Sequence, residues 1–396
     1  FSQFYANRVY LNPAYAGFDP GTTITLNHRN QSFGVPDGSF STFKDSYSSY
    51  NATVDMNLPC LFGGGFGLGK GSESINTIRR STLGIRPYNS VVEGGFFRGA
   101  AATYAVGRFD VTSFYSRLPQ DANVSSAGDT LSNQEDFINS IQITGLHRTP
   151  REIQNRKQIK EQVLGGNVTY RSEDRNLELG ATFVQTKYST QILRTPSKYN
   201  QYEFNGKNNF NAGTHFNYNW RNFDFFGEGA VSKSGGTGFL MGMLTSLSKD
   251  IQLSMLYRRY DRNFHTFYGT AFGESTRAIN ESGMYWGIKY KPNKRWILTA
   301  YYDSFRFPWL RFRTDAPSDG YEFLARLTHK PKRSISMYAQ IRQEVKDLNW
   351  TSEDEKINKV IPFVRRQYQA RIDFSAEKIL FLRSRVQFST FNHGGE

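Results

Sequence analysis

A few stretches carry residue types that could do chemistry. The run GGGFGLGKGS at 63–72 places Gly64, Gly69 and Lys70 at the spacing of a phosphate-cradling loop. Gly71 stands where that loop needs a Ser or Thr hydroxyl for magnesium, and no helical pattern follows to aim an N-terminus at a phosphate. Phe62, Phe66 and Leu68 alternate with small residues, so a glycine-rich strand is the better reading. The six histidines, His28, His147, His215, His265, His329 and His393, fall in no HxH or HExxH spacing that would assemble a metal site. His265, in RRYDRNFHTF, is the single candidate base for a hydrolase acting at a lipid boundary, and no GxSxG nucleophile elbow accompanies it. His147, just before TPRE, is better placed to fix a loop by hydrogen bonds. The lone Cys60 can build neither a disulfide framework nor a cysteine-rich zinc site. No enzymatic activity, cofactor or metal is expected.

The elements that would position these residues are strands. Aromatic residues make up 15% of the chain, yet the mean hydropathy is −0.58, as in strands greasy on one face and wet on the other. In FNAGTHFNYNW at 210–220, Phe210, Ala212, Phe216, Tyr218 and Trp220 alternate with Asn211, His215, Asn217 and Asn219. The pattern recurs at 50–58, 251–257, 284–290, 321–327, 335–341 and 368–374. No apolar run approaches the roughly 18 residues of a spanning helix, so a membrane form of this chain must be a barrel. The connectors alternate in length. Short ones stand at 107–108, 172–176, 221–222, 248–250, 292–295, 329–333 and 375–378, and long ones at 187–208, 261–281, 306–319 and 344–364. Short turns on one rim and long loops on the other predict an all-β transmembrane barrel of the outer-membrane type, with roughly 16–18 antiparallel strands. A soluble β-sandwich gives the same alternation but does not need that parity.

One helical signal interrupts the strands. TPREIQNRKQIKEQVLGG opens with Thr149 at the N-cap, Pro150 at N1 and Glu152 at N3, and stops at Gly165 and Gly166. Parity then makes 118–164 a helical insertion on the long-loop side, above the lumen or plugging it. In SFRFPWLRFR, Phe305, Phe307, Trp309 and Phe312 mix with Arg306, Arg311 and Arg313, as in an interfacial aromatic belt or a strand rim bent at Pro308. The net charge of +14 suggests nucleic acid, anionic headgroups or acidic glycans as partners. It is spread through short runs such as KPKR at 330–333 and NRKQIK at 155–160, which suit solvated turns, so no nucleic-acid partner is expected. The absence of an initiator methionine fits a mature exported chain, and equally the choice of sequence boundary.

The N-terminal FSQFYANRVYLNPAYAGFDP, with YLNPAYAG at 10–17, and the following LNHRNQSFGVPDGSFSTFKDSYSSYNATVDMNLP resemble the start of the PorP/SprF family. These are outer-membrane proteins associated with the type IX secretion system of Bacteroidota, and the resemblance covers about the first 59 residues. It implies a periplasmic N-terminus, a barrel, and a role in secreting or surface-anchoring large adhesins, with periplasmic lipoprotein partners in some systems. From about residue 62, FGGGFGLGKGSESINTIRRSTLGIRPYNSVVEGGFFRGAA and GLHRTPREIQNRKQIKEQVLGGNVTYR resemble the barrel of Bacteroidota outer-membrane proteins that carry a helix-hairpin-helix domain. The two resemblances join near Pro59 and Cys60 and imply the same architecture. The expectation is a periplasmic segment at 1–21 and a barrel over 22–396 in the bacterial outer membrane. Its expected partners are membrane lipid and lipopolysaccharide, a secreted surface protein or another secretion component, and a periplasmic lipoprotein. The contact residues expected are Tyr10, Asn12, Pro13 and Tyr15 at the N-terminus and Arg148, Arg151, Arg156 and Lys157 in the insertion. The alternative is a channel for small solutes or oligosaccharides lined by the polar strand faces.

Overall fold

The computed structural model describes residues 23–31, 47–55, 75–78, 97–125, 137–142, 147–269, 271–350, 359–376 and 380–393. The phosphate-loop-like run at 63–72, Cys60 and the N-terminal contact residues Tyr10, Asn12, Pro13 and Tyr15 lie outside them. A two-stranded antiparallel sheet joins β1 (Thr23–Gln31) to β2 (Tyr47–Asp55). The second sheet has 15 strands. They are β3 (Gly99–Val106), β4 (Phe109–Ser125), β5 (Phe137–Gln142), β6 (Ile159–Arg171), β7 (Leu177–Ile192), β8 (Gly206–Trp220), β9 (Phe223–Ser232) and β10 (Thr237–Ser246). β11 (Ile251–Tyr260), β12 (Glu281–Tyr290), β13 (Trp296–Phe307), β14 (Ser318–Lys332), β15 (Ile335–Trp350), β16 (Lys359–Ala376) and β17 (Leu380–His393) complete it.

From β6 to β17 every strand pairs antiparallel with the next in sequence, and β4 pairs with both β3 and β6. β5 does not cross the sheet. It caps the long-side ends of β4 and β7, pairing with 121–125 and with 191–192. The parity read from the sequence therefore holds, with β4 rising to the long side and β6 returning from it.

The side chains are arranged inside out relative to a soluble protein. On the inward face Glu161, Asn167, Thr182, Asn211, Arg258 and Asp303 are buried, while Leu164, Val168, Phe183, Met241, Trp286 and Tyr302 stand exposed on the outward one. A soluble chain would not leave so continuous an apolar surface to water; lipid is the solvent that matches it. Inward packing also requires small residues. A Cβ on Gly180 would meet the His215 ring at 2.1 Å, and one on Gly242 would meet Phe226 at 2.3 Å.

Two expectations are corrected. The helix, α1, is only Pro150–Gln154. Its capping box is present, with Thr149 and Glu152 satisfying each other's backbone N–H groups, but 159–171 is strand β6, whose alternate residues Ile159, Glu161 and Val163 are buried inward. The two-residue period of the inward face outweighs the helical signal there. In SFRFPWLRFR, Phe305 and Phe307 also point inward at 3% and 0% exposure, and only Phe312, at 68%, resembles a belt residue. β13 ends at Phe307, before Pro308, as the strand-rim reading expects.

Candidate functional site

The loop between β11 and β12, residues 261–280, folds inward instead of away from the barrel. Its first anchor is backbone. The carbonyl of His265 accepts from the side-chain amides of Asn209 and Asn211, both at 2.8 Å, and its N–H donates to Ser232 Oγ at 3.2 Å. The second anchor is Tyr268, whose hydroxyl donates to the buried carboxylate of Glu161, which also accepts from Gln120 Nε2 at 2.6 Å. Burial, with the Glu161 charge beside it, holds the Tyr268 phenol well above its ordinary pKa, so it remains a donor.

The third anchor is Phe272. Its carbonyl accepts from Tyr260 Oη at 2.8 Å, and its ring meets Tyr285 edge-on at 5.4 Å. Below it Arg258 bridges Glu281 at 2.7 Å and Asp303 at 2.7 and 3.2 Å, all three fully buried. Glu281 additionally accepts the backbone N–H groups of Glu274 and Ser275, at 2.7 and 3.1 Å, and Lys346 pairs with Glu274 and Glu344. One loop thus touches β6, β8, β9, β12 and β15, which only a sheet curled around it permits.

A second segment shares the interior. Ile75 and Ile78, on a 3-10 turn at Ile75–Ile78, are 1% and 2% exposed, and Ile78 packs with Leu256, Phe272, Tyr285, Tyr301 and Leu324. Beside the loop, a cavity lined by Asn211, Glu228, Tyr260 and Thr266 measures about 30 Å³, the scale of a single water. Among the described residues, the chain's own loop and turn fill this part of the lumen.

On the outside the same loop is latched to its neighbours. Arg277 donates two hydrogen bonds to Glu203 in the 193–205 loop, and Arg194 stands 3.7 Å from that carboxylate. His265 Nε2 donates to the carbonyl of Tyr202 at 2.7 Å. The Arg262 guanidinium lies over the rings of Tyr202 and Trp309, at 4.1 and 5.2 Å. Asn280 ties the loop's end to Trp309 with its side-chain amide, Oδ1 accepting the Trp309 N–H at 2.8 Å and Nδ2 donating to the Trp309 carbonyl at 2.9 Å. Burial alone would raise the Glu203 pKa, but the Arg277 and Arg194 charges outweigh it and hold it below the usual carboxylate value. Burial keeps His265 below its ordinary value, and so neutral. His265 is a latch residue, held by its Nε2 bond to the Tyr202 carbonyl and by its backbone bond to Ser232.

The expected contact residues of the insertion lie at α1. Arg148, Arg151, Arg156 and Lys157 are all exposed, and Arg148 pairs weakly with Glu152, at 3.6 Å. Asp121 fixes the segment on β4, meeting His147 Nε2 at 2.7 Å and the backbone N–H of Lys157 at 2.8 Å. His147 has the loop-fixing role its position suggested. The infolded loop itself was missed. Its signal was the density of aromatics, Phe264, Phe267, Tyr268 and Phe272, in what otherwise reads as a solvated connector.

The family described as type IX secretion system membrane protein PorP/SprF matches residues 1–271. The matched span crosses Pro59 and Cys60, so one family covers both sides of the join. No curated protein sequence matches the chain. Among solved structures, OpdQ of Pseudomonas aeruginosa aligns at 9% identity and a TM-score of 0.39, covering 74% of this chain and 76% of that one. OccAB3 of Acinetobacter baumannii aligns at 9% and 0.37, covering 74% and 84%. The iron transporter FrpB of Neisseria meningitidis aligns at 10% and 0.37, covering 74% of this chain and 59% of its own.

Proposed function

Because the chain belongs to the PorP/SprF family of type IX secretion system membrane proteins, and so to the outer membrane, we propose that it is a non-enzymatic barrel that anchors or helps export large surface proteins. The observation that carries this reading is the part of the lumen filled by the chain's own 261–280 loop, which obstructs a passage there and leaves the rims to partners. On the long-side rim the α1 segment presents Arg148, Arg151, Arg156 and Lys157 to solvent, and Arg151, Arg156 and Lys157 have no carboxylate partner among the described residues. This cationic patch suits an acidic surface of an exported protein. The N-terminal Tyr10, Asn12, Pro13 and Tyr15 are the proposed docking element for a periplasmic lipoprotein.

The test is a mild-detergent pull-down of the native protein from its own outer membrane, with mass spectrometry of what co-purifies. A large surface protein should be retained by the native chain and lost when the four cations at α1 are replaced by Glu. Retention by both forms would remove those residues from the interface, and recovery of no surface protein with either would sink the anchoring role.

The second reading, a channel for small solutes or oligosaccharides, is favoured by the polar inward face around Asn209, Asn211 and His215. Steady conductance of the native protein in planar bilayers would establish it.

A further inference from the structure

The 15-stranded sheet ends in two edges, the outer sides of β3 and β17, which pair with no strand among the described residues. Tyr104 on β3 and Val386 on β17 are 73% and 69% exposed. In a bilayer such edges are untenable, because no water is there to satisfy their backbone N–H and C=O groups. We propose that the β1–β2 hairpin of this same chain occupies the gap and closes the barrel at sixteen crossing strands, β1 pairing with β3 and β2 with β17.

Three observations select the hairpin. Its strands are 9 residues each, within the roughly 9–11 that span a membrane. By register Ile24 opposes Val54 and Leu26 opposes Ala52, whereas Thr25 opposes Thr53 and Asn27 opposes Asn51. The two-residue period therefore puts apolar positions on one face and polar ones on the other in the half of the hairpin next to Thr23 and Asp55, while His28, Asn30 and Ser48 continue the apolar face towards its connector. A two-stranded hairpin alone is at best marginally stable, so its own outer edges also need partners.

Connector length fixes the order. The described strands of the large sheet are joined on the short side by connectors of two to five residues, whereas β1 and β2 are joined by the 15 residues 32–46, which places that connector on the long side. β1 then rises and β2 descends. β3 descends to its turn at Gly107, and β17 rises from the short side. Antiparallel pairing at every contact is satisfied by the order β17, β2, β1, β3. Residues 56–98 must then return from the short side to the long side, and the buried turn Ile75–Ile78 stands inside the barrel where that path runs. These 43 residues reach far beyond the height of a bilayer when extended.

The test is disulfide trapping in isolated outer membranes, in a Cys60→Ser background that leaves the chain without cysteine. Thr103→Cys on β3 is combined in turn with Thr25→Cys, Asn27→Cys and Arg29→Cys on β1. Gln387→Cys on β17 is combined with Ser49→Cys, Asn51→Cys and Thr53→Cys on β2. Gln369→Cys with Gln387→Cys, opposed across β16 and β17, is the positive control. The expected result is a gel-mobility shift, reversed by reductant, for at least one pair in each series. A cross-link from Thr103→Cys to Arg385→Cys, Gln387→Cys or Ser389→Cys would overturn the proposal by showing direct closure of β3 on β17. A band at twice the chain mass would overturn it in favour of a second copy, and silence in both hairpin series with the control formed would overturn it as well.

Discussion

If the 261–280 loop closes the lumen, weakening one deep anchor should open it by an amount the structure sets. Tyr268→Phe removes a single hydroxyl, the one donated to Glu161. Glu161 is 2% exposed and keeps Gln120 and Tyr188 as hydrogen-bond donors. A buried carboxylate losing one of three donors costs about 1–3 kcal/mol, a rise of about 5- to 150-fold in the population of the released loop. The aromatic packing of Tyr268 against Phe97, at 4.5 Å, is retained, so the change isolates the hydrogen bond. The assay is single-channel recording in planar bilayers, with heat-modifiability on gels to confirm the folded barrel. Rare brief openings of the native protein should become frequent in Tyr268→Phe, and replacement of 263–279 by a four-residue Gly-Ser linker should give a steadily open pore. If the linker variant is folded and conducts no more than the native protein, the loop is not what closes the lumen and the reasoning fails.

Acid should act on the outer latch in two stages. The latched His265 has a lowered pKa, so the latched state loses stability as pH falls below the ordinary value of 6.5; Glu203, lowered from 4.5, adds its loss as pH falls through its own folded value. Opening should therefore rise once as pH falls below 6.5 and again as it falls further below 4.5, and His265→Asn should abolish the first rise. Arg258→Met leaves Glu281 and Asp303 buried without their cation and should destabilise the barrel by about 3–5 kcal/mol, read as a lower heat-modification temperature and partly restored by adding Asp303→Asn. Trp286→Arg, midway along the lipid face of β12, should cost about 2–4 kcal/mol, whereas Gln387→Arg on the inward row of β17 should leave that temperature unchanged.

The sequence by itself determined the strand architecture, because a two-residue hydrophobic period and alternating connector lengths are local properties. Asn211 and His215 were legible as one face and Phe216 and Tyr218 as the other before any fold was known. It also carried the family in YLNPAYAG and the capping box at Thr149. Period alone could not say which face is inward, since Glu161 and Leu164 could each face water; the curling of the sheet around the 261–280 loop decides that. Nor could it say how far α1 runs, because 159–164 has helical propensity and strand alternation at once, and the pairing with β4 resolves the conflict. The infolded loop was beyond it for the same reason. Its anchors, Glu161, Asn209, Asn211 and Lys346, come from strands far apart in the chain, and nothing but the curvature of the sheet brings them to Tyr268, His265 and Glu274.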